Sequence, residues 1–409
     1  MSQNDSPTTP ATPTASAAHA GPPRRLPLLM ALACGVTVAN AYFPQAITPL
    51  IADSFHVPEA TAATLATLTQ LGYAAGIFLL VPLGDRLPRR PLITVLLAVT
   101  SLALLTAGLA PATGLLLAAG TLVGLATVVP QILLPMAAGL VEPERRGQVI
   151  GTLQAGLIGG ILLARAFGGV LGEHLGWRAP YLIAAALTAL LALALGALLP
   201  TTTPAARDRR YVALLADTLR MLRTERELRR SVLFQVTVFG GFSAAWTAVA
   251  LFLTGPRYGL GTQAVGVLAL VGAGSMFFAP AAGRWVDRYG AHRVNVWCVV
   301  AALASAGVLA FGSWGGAVGL GALAVGLLLI DVAVQCGQVA NQSRIFALPR
   351  EAHSRLNTGY MTCSFLGASV GSWLGARAYT HLGWPAVCGL IAVAVAVPLG
   401  FVSAARARA

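Results

Sequence analysis

Within the apolar run "GLLLIDVAVQCGQVANQ" one carboxylate and three amides, Asp331, Gln335, Gln338 and Gln342, recur at i, i+4, i+7 and i+11. At about 100° per residue they fall within an arc of roughly 60° on one helix face. If the run spans a bilayer, a carboxylate at its centre costs about 2.5–3.5 kcal/mol. Polar groups facing lipid would be unpaired, so the stripe must meet a water-filled cavity or other polar groups. Asn341, next to Gln342, is a candidate for the same cavity. A hydrogen-bonded seam between helices is the structural alternative.

Arg165 is the matching cation. It is the arginine deep within an apolar span of the first half, and Gln154 lies eleven residues before it on the same face. Counted at about 1.5 Å per residue from the flanking loops, Arg165 and Asp331 each lie roughly 25 Å in, so they could be partners. A carboxylate whose charge depends on whether a cation or substrate occupies the cavity is a proton-coupling element. A static ion pair joining the two halves is the other reading. Asn40, Tyr42, Gln45, Gln70, Tyr73, Gln131, Phe242 and Trp246 are further candidates for the cavity wall, since amides and aromatics suit flat organic substrates; each is also compatible with ordinary packing.

The composition identifies the solvent around these residues. Hydrophobic residues make up 56% of the chain and charged ones 10%, with 45 glycines, which is far from a soluble domain and typical of a multi-pass membrane protein. The net charge of +13 would suggest nucleic acid in a soluble chain, but here the arginines gather in short gaps between apolar runs, so no nucleic-acid partner is expected. Cys34, Cys298, Cys336, Cys363 and Cys388 all fall inside apolar runs without metal-ligand spacing and read as packing residues. No metal site or cofactor is expected.

About twelve apolar segments of spanning length follow a Ser/Thr/Pro/Ala-rich tail at 1–26 that cannot bury a core and lacks a signal-peptide pattern. They lie at 27–52, 60–84, 92–110, 113–141, 148–172 and 179–199, then at 231–254, 263–282, 294–311, 316–346, 356–379 and 385–405. With a cytoplasmic N-terminus, the inner loops collect Arg86, Arg89, Arg90, Arg145, Arg146, Arg288, Arg293, Arg350 and Arg355, and the outer ones only Arg178, Arg257 and Arg377. The positive-inside rule therefore puts both termini, including the short end at 406–409, in the cytoplasm. Between the halves at 27–200 and 231–405, the segment 201–230 places Tyr211, Leu214, Leu215, Thr218 and Leu222 at helical spacing with arginines elsewhere, so it reads as an amphipathic linker helix on the inner leaflet.

The halves also repeat. "GILLARAFGGVLGEHLGW" and "GASVGSWLGARAYTHLGW" align, with Gly160, Ala164 and Gly168 matching Gly367, Gly371 and Gly375. Small residues every fourth position favour close helix crossing. Gly283, Asp287, Arg288, Gly290 and Arg293 resemble the G-x-x-x-D-R-x-G-x-x-R loop of the major facilitator superfamily; an earlier copy keeps Asp85, Arg86, Arg89 and Arg90 but has Val81 and Pro88 where the family has glycine. "ANAYFPQAITPLI", "TQLGYAAGIFLLVPLGD" and "DVAVQCGQVANQSRI" resemble a bacterial efflux-like branch of it.

That resemblance implies an all-α fold of twelve transmembrane helices in two pseudo-symmetric six-helix bundles, and a gating role for both loops, whose aspartates would hold a neighbouring helix end and nearby arginines in one conformation. Two antiporter signatures are absent: the fourth segment has no arginine, and the fifth has Gly156 and Gly160 followed by Arg165 in place of G-P-x-x-G-G. The expected function is secondary transport by alternating access in the bacterial inner membrane, as a monomer, with export of a small organic compound in exchange for protons. A proton-coupled importer and a transporter-like sensor without turnover remain alternatives. An enzyme is not expected, since an intramembrane protease needs a Ser/His pair or two aspartates within the bilayer.

Overall fold

Helices account for every regular element among the described residues of the computed structural model, which are 25–201, 210–348 and 353–406. The N-terminal tail up to residue 24, Arg350 and the last three residues lie outside them.

The order is α1 (Arg25–Ala39), a 3-10 turn at Phe43–Gln45, α2 (Thr48–Phe55), α3 (Glu59–Leu80), α4 (Leu83–Arg86), α5 (Arg89–Gly108), α6 (Thr113–Ala126), α7 (Val129–Gly139), α8 (Pro143–Leu175) and α9 (Arg178–Leu198). The linker holds α10 (Tyr211–Thr224). Then come α11 (Arg226–Thr254), α12 (Thr262–Gly272), a 3-10 stretch at Ala273–Phe278, α13 (Ala279–Tyr289), α14 (Ala291–Ala310), α15 (Gly316–Phe346), α16 (His353–Leu382) and α17 (Trp384–Arg406). Breaks fall beside prolines: Pro44 and Pro49 after α1, Pro82 after α3, Pro130 between α6 and α7. A proline removes a backbone donor and clashes with the preceding turn.

Nine helices among the described residues are long and apolar enough to cross a membrane, and ten if the bent pair Thr262–Phe278 and Ala281–Tyr289 counts as one. The expected count of twelve is not reached by length and composition. The segments that fall short are α16, which carries Asn357, Thr358, Ser364, Ser369, Ser372 and Arg377, and α17, whose apolar stretch is Trp384–Pro398.

Elements α1–α9 pack mainly on one another, as do α11–α17, and the two sets meet along α3 with α16 and along α8 with α12. The repeated small residues explain matching crossings within each set. A Cβ on Gly160 would lie 2.2 Å from the Gly35 carbonyl oxygen of α1, and one on Gly371 would lie 2.1 Å from the Gly240 carbonyl oxygen of α11. Such spacing admits only glycine. The linker helix buries Leu214 and Thr218 and packs on α16, where Asp217 pairs with Arg355 at 2.8 Å. Tyr211 also donates to the Leu79 carbonyl at 2.5 Å, so α10 contacts both sets.

Candidate functional site

The apolar packing of α11 on α15 brings Trp246 to Asp331, both buried to 2% exposure or less. Trp246 Nε1 donates to Asp331 Oδ1 at 3.0 Å. The other oxygen, Oδ2, is buried without a hydrogen-bond partner. It fits there because α12 ends in glycine: a Cβ on Gly272 would lie 2.3 Å from Oδ2.

Arg165 of α8 is also buried. Its guanidinium lies 4.3 Å from the Trp246 ring centroid, 5.1 Å from that of Phe242 and 5.2 Å from that of Tyr42, while Nε donates to Gln45 Oε1 at 3.1 Å. Arg165 Nη2 and Gln45 Nε2 have no partner. Among the described residues no ion pair within 4.0 Å joins Arg165 to Asp331. The direct partnership suggested by their equal depth is not formed. Trp246 stands between them, offering its face to the cation and its N–H to the carboxylate, both favourable directions for an indole.

Asp331 borders a narrow cavity at the junction of the two sets. Tyr42, Tyr73, Gln131, Phe242, Gln335 and Gln338, all candidates from sequence, line it. So do Gln235, Phe239 and Phe365, which sequence reasoning missed. The rings form a chain across the junction: Tyr73 to Phe365 at 4.5 Å, Phe365 to Phe239 at 5.3 Å, Phe239 to Phe242 at 5.4 Å. The cavity volume is about 40 Å³, room for roughly three water molecules. An organic substrate needs the walls to part.

Other candidates lie elsewhere. Asn341 accepts from Asn295 at 2.8 Å and donates to Gln235 at 3.2 Å, a buried amide relay behind the cavity. Gln342 and Gln154 are half-buried and outside the lining. Asn40 reaches Thr188 at 3.4 Å and borders an apolar groove between α1 and α8. Gln70 accepts from Ser243 at 2.9 Å across the junction.

Residues 28–346 match the Major Facilitator Superfamily, which is most of the chain. The chain belongs to this superfamily. It is 37% identical over 398 residues to "Probable transporter SCO4007" of Streptomyces coelicolor, covering 95% of this chain and 91% of that one. It is 36% identical over 361 residues to "Putative uncharacterized transporter YgaY" of Escherichia coli K12, covering 88% and 90%. A more distant relative, "Multidrug resistance protein D" of Escherichia coli K12, is 27% identical over 266 residues, 64% of each chain. The crystal structure of a mutant of the nucleoside transporter NupG shares the fold, with TM-score 0.69 and 15% identity over 94% of this chain and 99% of that one. The protein is a multi-pass membrane transporter of the major facilitator type.

The two superfamily loops differ in what they hold. Asp85 pairs with Arg89 at 3.7 Å and accepts from Ser354 Oγ, at the start of α16, at 3.2 Å. Arg89 Nε also donates to the Gly84 carbonyl at 3.2 Å, and Arg90 Nε to the Gly196 carbonyl at 2.7 Å; Arg86 Nε is buried without a partner. In the second copy Asp287, Arg288 and Arg293 are exposed, and among the described residues Asp287 makes no ion pair. Gly290 has φ +81° at the end of α13, a value that favours glycine, whereas Gly283 has open space where a Cβ would go.

At the end of the bundle away from α10 the sets are joined by Glu173, whose Oε2 accepts from the backbone N–H of Thr262 at 2.7 Å and from its hydroxyl at 2.8 Å.

Proposed function

We propose that this transporter couples movement of a small organic compound to protons, with Asp331 as the titrating group and export as the direction. The observation that carries the reading is the half-satisfied carboxylate: Asp331 borders the junction cavity, has one oxygen held by Trp246 and the other unpaired, and has no cation within ion-pair distance among the described residues. A buried carboxylate with so little fixed compensation responds to what enters the cavity, a proton or a substrate. Arg165, held by Gln45 and three rings, supplies positive potential at longer range through the low-dielectric core. The likeness to a protein named for multidrug resistance supports export.

The substrate is a flat organic molecule that wedges between the Tyr73–Phe365 and Phe239–Phe242 rings while the amides of Gln131, Gln235, Gln335 and Gln338 supply adaptable hydrogen bonds. Alternating access moves two bundles of six spans each, a total of twelve, about the α3–α16 and α8–α12 contacts, with the Asp85 loop as a gate. In this reading both termini and α10 face the cytoplasm of a bacterial inner membrane, and the monomer is the working unit.

The test is flux of an aromatic dye or antibiotic in proteoliposomes under an imposed pH gradient. Wild type should accumulate the compound against its gradient, whereas Asp331→Asn should lose gradient-driven accumulation but keep counterflow exchange, since the amide keeps shape and cannot titrate. Unchanged pH dependence in Asp331→Asn would sink the coupling role, and binding without flux in wild type would make the protein a sensor.

A further inference from the structure

A second pocket lies far from Asp331, at the end of the bundle away from α10, where α3, α6 and α16 meet. Its volume is about 340 Å³, and Thr61, Thr64, Thr67, Trp373, Arg377 and His381 are among its lining residues. The Arg377 guanidinium lies 4.7 Å from the Trp373 ring centroid. Among the described residues neither Arg377 nor His381 has a carboxylate within ion-pair distance, and the pocket lining contains no acid. Thr64 spends its donor within its own helix and Thr67 on Ser372, whereas the Thr61 hydroxyl has no protein partner among the described residues and is free to donate to an anion. The pocket is therefore a basic hollow with one free hydroxyl donor; Glu59, beside the lining residue Ala60 and near Tyr379, makes no ion pair with Arg377 or His381 among the described residues.

The neighbouring surface says which anion. Leu366, Val370 and Trp373 are 41%, 56% and 42% exposed, and with Arg377 they follow one another at steps of four, three and four along α16. That spacing is a single helix face, apolar for most of its length, and in a spanning helix it meets acyl chains. It ends in a tryptophan and an arginine, the pair that marks the depth of lipid head groups. A free anion would use the pocket and ignore the stripe; a phospholipid uses both.

We infer that this pocket binds one anionic phospholipid, with the phosphate between Arg377, His381 and the Thr61 hydroxyl and an acyl chain along Leu366, Val370 and Trp373. Because α3 and α16 belong to different sets, the lipid bridges them beside the Thr67–Ser372 bond and favours the state in which this end is closed. The site is independent of the proton-coupling reading.

The full-length protein in detergent would be titrated with dioleoyl phosphatidylglycerol, dioleoyl phosphatidylcholine or inorganic phosphate while its melting temperature is followed, and lipids retained would be counted by native mass spectrometry. Phosphatidylglycerol should raise the melting temperature and leave one retained lipid, with phosphatidylcholine and phosphate much weaker. Arg377→Gln/His381→Gln, at exposed positions that leave the fold intact, should weaken the apparent phosphatidylglycerol affinity by about tenfold and lose that lipid. An unchanged phosphatidylglycerol response in the double variant would overturn the site. An equal response to phosphate alone would overturn the lipid as its occupant, and an equal response to phosphatidylcholine would overturn the requirement for net negative charge.

Discussion

The indole of Trp246 and the carboxylate of Asp331 are joined by one hydrogen bond of 3.0 Å, and among the described residues no other donor reaches that carboxylate. Trp246→Phe keeps a ring under Arg165 but leaves both carboxylate oxygens unpaired. Losing a bond to a charged group should cost about 1.5–3 kcal/mol. In an Asp331→Asn background the same change should cost clearly less, because the charge that needed the donor is gone. Thermal unfolding of the two single variants and the double, as a cycle, checks this; additive losses would mean that the bond is not made in the membrane protein.

Arg165 and Asp331 could be read from sequence because a charge inside an apolar run has few innocent explanations. Their relationship could not. Equal depth suggested a pair, yet depth says nothing about rotation around each helix, and Arg165 turns to Gln45 and the rings of Tyr42, Phe242 and Trp246. Phe239 and Phe365 are not legible for a related reason: an aromatic in a spanning helix looks the same whether it faces lipid, core or cavity. Gln342 shares the face of Asp331 but lies roughly 16 Å further along α15, beyond the reach of the cavity. Glycine spacing was more legible, since close crossings such as Gly371 on Gly240 leave no other choice of residue.

The absence of a direct pair has a measurable consequence. Breaking a buried ion pair from one side typically costs about 3–5 kcal/mol and is rescued by neutralising the other side. Here Arg165→Gln/Asp331→Asn should not regain the stability lost in Arg165→Gln, because that loss comes from the Gln45 bond and the ring contacts. Arg165→Lys should also fall short, since a lysine cannot reproduce a planar group stacked on an indole. Full rescue by the double variant would show that the two residues pair directly in a major conformation.

Gly272 offers a second probe of the same carboxylate. With a Cβ placed 2.3 Å from Asp331 Oδ2, Gly272→Ala should destabilise by about 1–3 kcal/mol and reduce flux. Shortening the opposing side chain should remove the conflict, so adding Asp331→Ala should recover most of the stability but none of the proton-driven flux. Melting temperature and gradient-driven uptake, measured on the three variants, separate steric from chemical effects.

The unequal loops make unequal gates. Asp85→Ala removes contacts to both Arg89 and Ser354, the latter across the junction, so transport should slow several-fold with substrate affinity nearly unchanged. Ser354→Ala should slow it less, and the double variant should be no slower than Asp85→Ala alone. Asp287→Ala touches no ion pair among the described residues and should leave the stability of this conformation within about 0.5 kcal/mol. Equilibrium binding alongside initial-rate flux distinguishes a gate from a binding residue; equal loss of both for Asp85→Ala would reject gating.

At the opposite end, Glu173 holds Thr262 by two bonds to one oxygen, an arrangement that exists only while α8 and α12 are together there. Since Glu173 is itself exposed, the bonds are discounted for solvent screening and together favour the closed end by on the order of 1 kcal/mol, roughly a fivefold population ratio. Glu173→Gln keeps one acceptor oxygen and should lose part of that bias, whereas Glu173→Ala should lose all of it. A cysteine placed at Ile47, which is buried against Gly172 at this end, reports the change through its rate of modification by a water-soluble maleimide. Labelling should speed up from wild type through Glu173→Gln to Glu173→Ala, and raised ionic strength should narrow the spread. Equal labelling rates in all three would mean that the α8–α12 glycine contacts close this end without help from the carboxylate.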